Sequence, residues 1–131
     1  MHGAEGRYIG FRSSLWFVDA QAQLLKGVLP VAMLAVLATG DSYGYRVLQE
    51  LRARGLESVG DASVYGTLQK LFDDGLLASY VAESESGPAR RYYALTDAGA
   101  AALAKGRGTW RGFVEVIDAM LDSAGRVDAD V

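Results

Sequence analysis

Apolar and polar positions divide the chain into stretches of different period. Leu24–Thr39, LLKGVLPVAMLAVLAT, is apolar nearly all round. A helix of that kind is central, buried by its own domain and often also by a second subunit. It is shorter than the roughly 20 residues a bilayer span needs, and it contains Lys26 and Pro30. Pro30 removes one backbone donor, leaving a carbonyl without its partner or marking a kink. After Gly40, Asp41 or Ser42 caps a second helix through about Arg54, with Val47, Leu48 and Leu51 inward and Arg46, Glu50, Arg52 and Arg54 outward. A third helix runs from Ala62 to Asp74, capped by Asp61 and ended by Gly75. Its Val64, Leu68, Leu71 and Phe72 recur at i, i+4, i+7 and i+8 and share one face. Ser63, Gly66, Gln69 and Lys70 occupy the opposite face, with Tyr65 and Thr67 at its margins.

The pattern then changes. LLASYVA and RRYYAL are rich in residues that suit strands, and the polar run Glu83–Pro88 between them reads as a turn. Tyr92 and Tyr93 point to opposite faces of their strand, so one of them belongs to the core. Thr96-Asp97 caps a last helix from Ala98 to about Ser123. Leu103, Trp110, Val114, Ile117 and Leu121 are spaced 7, 4, 3 and 4, a heptad seam. A seam on a helix so long for the domain expects another like it, which points to a homodimer. Gly106, Gly108 and Gly112 surround Trp110; each costs about 1 kcal/mol in a helix interior, and space beside the indole is the expected reason.

Met1–Gln23 has no clear period. Arg7 and Arg12 precede the apolar SLWFV, but Asp19 and Gln21 interrupt it, so an export signal is not expected. Two readings of this arm stay open: Trp16 and Phe17 pack on the body or on a partner, or the basic residues touch DNA. The expected organisation is therefore an arm (1–23), a winged helix-turn-helix domain (24–95), a dimerisation helix (96–123) and a tail (124–131). The fold class is mainly α with a small β-ribbon.

Helix, brief link, helix with a polar face, then a ribbon opening on Arg90-Arg91 is an order that suits duplex DNA. One element enters a groove while the other reaches flanking phosphates. Composition moderates this picture. Net charge is −3 and the sequence pI is near 5.1, whereas many nucleic-acid binders are basic. Phosphate attraction falls off over roughly 8–10 Å, so what counts is whether Lys70, Arg90 and Arg91 cluster away from the acids. The 131-residue chain has no cysteine and one histidine, His2, in the arm. No nucleophile–base set, metal-ligand spacing or phosphate loop stands out, so neither an enzyme nor a bound metal or cofactor is expected. A cytoplasmic protein fits. Two rivals remain: a winged-helix module that binds protein, which Asp73-Asp74 would suit, and a small-molecule-binding protein without DNA-binding activity.

GDSYGYRVLQEL, ASVYGTLQKLFDDGLL, SGPARRYYALTDAG and the tryptophan-bearing last helix come in one order, and in that order the chain resembles the PadR-family transcriptional regulators from about Leu24 to Leu121. The likeness is most specific in Ser63-Val64-Tyr65 followed by Leu68 and Leu71, and in Gly87-Pro88-x-Arg90-Arg91-Tyr92-Tyr93. The family often has proline after the tyrosine; here it is Gly66, which makes the start of that helix more pliable. The resemblance implies a ligand-responsive repressor that binds a pseudo-palindromic operator as a homodimer. Tyr43, Ser63, Tyr65, Gly66, Thr67, Gln69, Lys70, Arg90 and Arg91 would meet DNA. The short last helix resembles the compact, multidrug-sensing branch, in which flat hydrophobic compounds stack between tryptophans at the dimer interface. By position that cavity would be lined by Val31, Ala35, Trp110, Phe113 and Val114. Valine at 114, where an acid would favour cations, points to neutral planar effectors.

Overall fold

The computed structural model describes residues 2–84 and 87–125, with side chains from Ala20 onward. The side chains of His2, Arg7, Arg12, Trp16 and Phe17, on which both readings of the arm rest, lie outside the described residues, as do the tip at 85–86 and the tail from 126. Seven elements follow in order: α1 (His2–Ala38), β1 (Ser42–Tyr43), α2 (Gly44–Ala53), α3 (Asp61–Asp73), β2 (Leu77–Ser84), β3 (Gly87–Leu95) and α4 (Asp97–Ser123).

Helix α1 begins at His2, not near Leu24, so no break separates the expected arm from the central helix. Once the packed turns are formed, each further residue adds a hydrogen bond for little cost, and no amphipathic period is needed to continue. The helix also runs through Pro30, which is exposed. Ala20–Ala38 is long and apolar enough to cross a bilayer by length and composition. Its Leu25, Leu29, Met33, Leu34, Val36 and Leu37 are instead buried in the domain core.

Around α1 pack Val47, Leu48 and Leu51 of α2, Val64, Leu68 and Leu71 of α3, Leu77 of β2 and Leu103 of α4. Met33, Val47, Val64 and Leu68 are fully enclosed, which places the three-helix junction at the centre. Phe72 does not join them. It is 41% exposed, at the margin of the buried stripe, about 100° round the helix from Leu71 although only about 40° from Leu68.

Neither Asp41 nor Ser42 caps α2. Ser42 and Tyr43 pair with Tyr93 and Tyr92 as a third strand, giving an antiparallel sheet of order β1-β3-β2 in place of a two-stranded ribbon. Tyr43 is then the N-cap position, with no side-chain cap bond. Asp41 accepts a hydrogen bond from the Tyr80 hydroxyl at 2.6 Å, which holds that phenol above its usual range. Asp61 does not cap α3 either. Gly60 holds the N-cap position, and Asp61 is the first helical residue, 3.8 Å from Arg52. Asp41 lies two residues before one N-cap position and Asp61 one residue after the other, because the preceding turn, not the side chain, decides which residue is last extended.

Helix α4 is docked by its first turn. The Thr96 hydroxyl accepts from the Gly99 amide at 3.0 Å and donates to the Gly75 carbonyl at 2.8 Å, so the cap also ties α4 to the end of α3. A Cβ on buried Gly99 would run into the Leu76 carbonyl. Thr96→Ala is expected to cost about 1–2 kcal/mol, read as a lower urea midpoint with an unchanged slope at fixed protein concentration. Higher up, a Cβ on Gly106 would lie 2.8 Å from Cγ2 of Val31, so this glycine admits α1, not the indole. Gly108 and Gly112 face open space, and nothing in the structure explains them.

Candidate nucleic-acid interface and apolar trough

The turn between α2 and α3 is braced from within. Gly55 takes a positive φ that ends α2, and Val59, buried, anchors the turn. Arg52 donates from Nε and Nη2 to the Val59 carbonyl at 3.1 and 3.0 Å. Two bonds from one planar guanidinium hold this link although it is longer than the tightest helix-turn-helix turn. With Val64, Leu68 and Leu71 inward, α3 shows Ser63, Tyr65, Gly66, Gln69 and Lys70 to solvent, and Thr67 is half-buried. Tyr65 packs its ring over Gly44, where a Cβ would collide with it, and stays 48% exposed. The Gln69 amide donates to Asp73 at 2.9 Å and Lys70 lies 3.3 Å from Asp74. Exposed pairs of this kind are worth about 0–1 kcal/mol, so exchanging either acid for a phosphate is cheap.

Register places Arg90 and Arg91 opposite Ala82 and Val81, on opposite faces of β3. Arg91 donates to the Ser79 hydroxyl at 2.7 Å. Tyr93 lies against the core, and the outward Tyr92 stacks on Tyr80 at 5.6 Å. Strand β1 stops after Tyr43 and leaves the edge of β3 open beside the start of α2. There Tyr43, Gly44, Tyr45, Tyr65, Arg90, Arg91 and Tyr93 enclose a notch of about 330 Å³. The sequence reading missed Gly44, Tyr45 and Arg46. Tyr45 and Arg46 are exposed beside the notch, and no period marks them, since solvent-facing positions of a helix carry no burial signal.

A second feature lies along α1 and α4. Trp110, Phe113, Val114 and Ile117 face Leu24, Val28, Val31 and Leu34 across an apolar trough of about 910 Å³. Trp110 and Phe113 are tilted neighbours, 6.4 Å apart. Of the expected cavity residues, Val31, Trp110, Phe113 and Val114 come together; Ala35, one turn past Val31, is exposed and does not line the trough. Of the expected seam, Leu103 is spent inside the subunit core, whereas Trp110, Val114, Ile117 and Leu121 remain open in part or in full. Asp118 and Lys105 also line the trough, and the sequence reading, which looked for an acid at 114, missed the carboxylate one turn on.

Helix α2, the braced turn, α3 and the three-stranded sheet make a winged helix-turn-helix, extended by the long helices α1 and α4. Residues 33–105 match the Transcriptional regulator PadR-like family. The chain belongs to the PadR-like family of transcriptional regulators. It superposes on a PadR-like transcriptional regulator from Bacillus cereus with a TM-score of 0.69 and 29% identity, over 76% of this chain and 96% of that one. An uncharacterized protein of Lysinibacillus sphaericus is 27% identical over 78% of this chain and 95% of its own length. The fold also matches Bacillus subtilis PadR, solved in complex with operator DNA, with a TM-score of 0.54 and 26% identity, over 60% of this chain and 45% of that one.

Proposed function

We propose that the chain is a DNA-binding repressor that acts in the cytoplasm, as a homodimer on a pseudo-palindromic operator, and that a small hydrophobic molecule in the α1–α4 trough releases it. The observation that carries the DNA reading is one surface: the polar face of α3 beside a notch with Arg90, Arg91 and tyrosine hydroxyls. Lys70, Arg90, Arg91 and Tyr65 meet phosphate, while Ser63, Gln69 and Lys70 read base edges. Selecting duplexes from a random pool and titrating them against salt tests it. A falling affinity with salt is the expected result; no duplex binding would favour the protein-interaction reading, which the acids Asp73 and Asp74 beside the α3 face support.

The trough supports the effector reading, with flat apolar compounds as its class and Asp118 available to a positively charged substituent. Planar dyes are expected to quench Trp110 in a Trp16→Phe background and to weaken DNA binding. Trp110→Ala should abolish both effects while the dimer persists, since stacking on each indole is worth about 0.5–1.5 kcal/mol beyond burial. Full dye response in Trp110→Ala would make this ring a packing residue.

A further inference from the structure

We infer that Tyr43 is a positioning residue, whose ring, not its hydroxyl, serves the interface by holding Arg46 of α2 and Arg90 of β3 side by side for the DNA backbone. The inference rests on the DNA reading above and names a part within it. Tyr43 stands at the junction, as the last residue of β1 and the N-cap position of α2. Its ring is fixed by an edge contact with Tyr92, 5.4 Å between centroids at 77°. The guanidinium carbon of Arg90 lies 4.4 Å from the Tyr43 centroid and that of Arg46 lies 5.1 Å from it. Two arginines from different elements therefore share one ring, each within the distance at which a ring face attracts a cation.

The charge environment gives the arrangement its use. Among the described residues, Arg52, Arg54 and Lys70 each have a carboxylate within ion-pair reach, and no such pair forms at Arg46 or Arg90. The Nε of Arg90 is buried with no hydrogen-bond acceptor among the described residues. A carboxylate would hold these side chains but would compete with phosphate for them. A neutral ring holds them and leaves the charge available, which matters in a chain of net charge −3. The two guanidinium carbons can lie no further apart than their two ring distances together. Phosphates of one strand follow about every 3.4 Å along the duplex axis, so the pair can engage neighbouring phosphates of a single strand. Ordering both side chains in advance also spares part of the entropy cost of binding.

The test is a salt series of fluorescence anisotropy titrations, using a labelled duplex selected from a random pool by the unsubstituted protein. Tyr43→Phe keeps the ring and removes the hydroxyl, and is expected to bind within about twofold of the parent with the same salt dependence. Tyr43→Leu should bind about tenfold more weakly. In an Arg46→Ala, Arg90→Ala background the same leucine change should cost less than about twofold, because nothing is left to hold. Position 43 carrying pentafluorophenylalanine has nearly the phenylalanine shape with the ring polarity reversed, and should behave like leucine even if leucine itself disturbs folding. If Phe is as damaging as Leu, the hydroxyl is the contact and the inference fails. If Leu keeps its cost without the arginines, or the fluorinated ring binds like phenylalanine, Tyr43 acts through packing and the inference fails. Those outcomes leave the DNA reading standing, whereas an unsubstituted protein that binds no duplex overturns the DNA reading and this inference with it.

Discussion

Ile117→Asp combined with Leu121→Asp is expected to convert the protein from a dimer to a folded monomer. Leu121 is 64% exposed and Ile117 half-buried in the isolated subunit, so an aspartate at either place stays wet when the chain is alone. Leu103, the seam residue the subunit uses for its own core, is left intact. In a dimer sealed along α4 the new carboxylates lose water without a partner, at about 3–5 kcal/mol for each uncompensated charge. Two such penalties, about 6–10 kcal/mol together, raise the dissociation constant at least about ten-thousandfold, since every 1.4 kcal/mol is a factor of ten. Sedimentation velocity at micromolar concentration should show half the parent mass, with the helical circular dichroism retained. A parent protein that sediments as a stable monomer would remove the premise. A doubly substituted protein that remains dimeric would move the interface off this face of α4.

The second large effect concerns the wing, the β2–β3 ribbon. Arg90→Ala with Arg91→Ala is expected to weaken binding to all duplexes alike, by about tenfold for each charge-assisted hydrogen bond removed. It should also shallow the dependence of log affinity on log salt by about 0.9 per phosphate released, about 1.8 for the pair. The two arginines start from different states. Arg91 must exchange its 2.7 Å bond to Ser79 for a phosphate, whereas Arg90 already lies over Tyr43. Changes at Ser63 or Gln69 should behave differently and alter which sequences are chosen, because base edges carry the sequence information and phosphates do not. Anisotropy titrations at several salt concentrations separate the two behaviours. A double wing variant that matches the parent at low and high salt would take Arg90 and Arg91 out of the interface.

The distribution of acids bears on both results. Lys70 and Gln69 are engaged with Asp74 and Asp73 before any DNA arrives. Any share they take in DNA binding would therefore be an exchange of partners, contributing less than an unengaged cation. Net charge is thus a weak guide to this surface. The notch groups Arg90 and Arg91 with four tyrosines, whereas Asp73 and Asp74 lie at the C-terminal end of α3 and Asp61, at its start, faces Arg52.

What the sequence determined by itself is the set of elements whose burial repeats. Val64, Leu68 and Leu71 announce one face of α3, and the polar face opposite them follows from the same 3.6-residue period. Thr96 as a cap and Gly75 as a stop are equally local, since a cap needs only its own first turn. The family likeness, carried by short strings in α3 and β3, was legible for the same reason. Tertiary structure alone decided the rest. A two-residue strand such as β1 has no period to read, and it exists because β3 offers Tyr92 and Tyr93 as pairing partners. Asp41 lost its expected cap to Tyr80, which is 39 residues away in sequence. Leu103 shares a heptad with Trp110, yet one is buried by α1 and the other lies open, because α1 and α4 touch at Gly106 and leave a trough beyond it. Tyr43 met Arg46 and Arg90 only when α2 and β3 docked. Periodicity reports which side of an element leaves water; which elements then meet is decided by how those sides pack, and the junctions between elements are where this protein's candidate site is built.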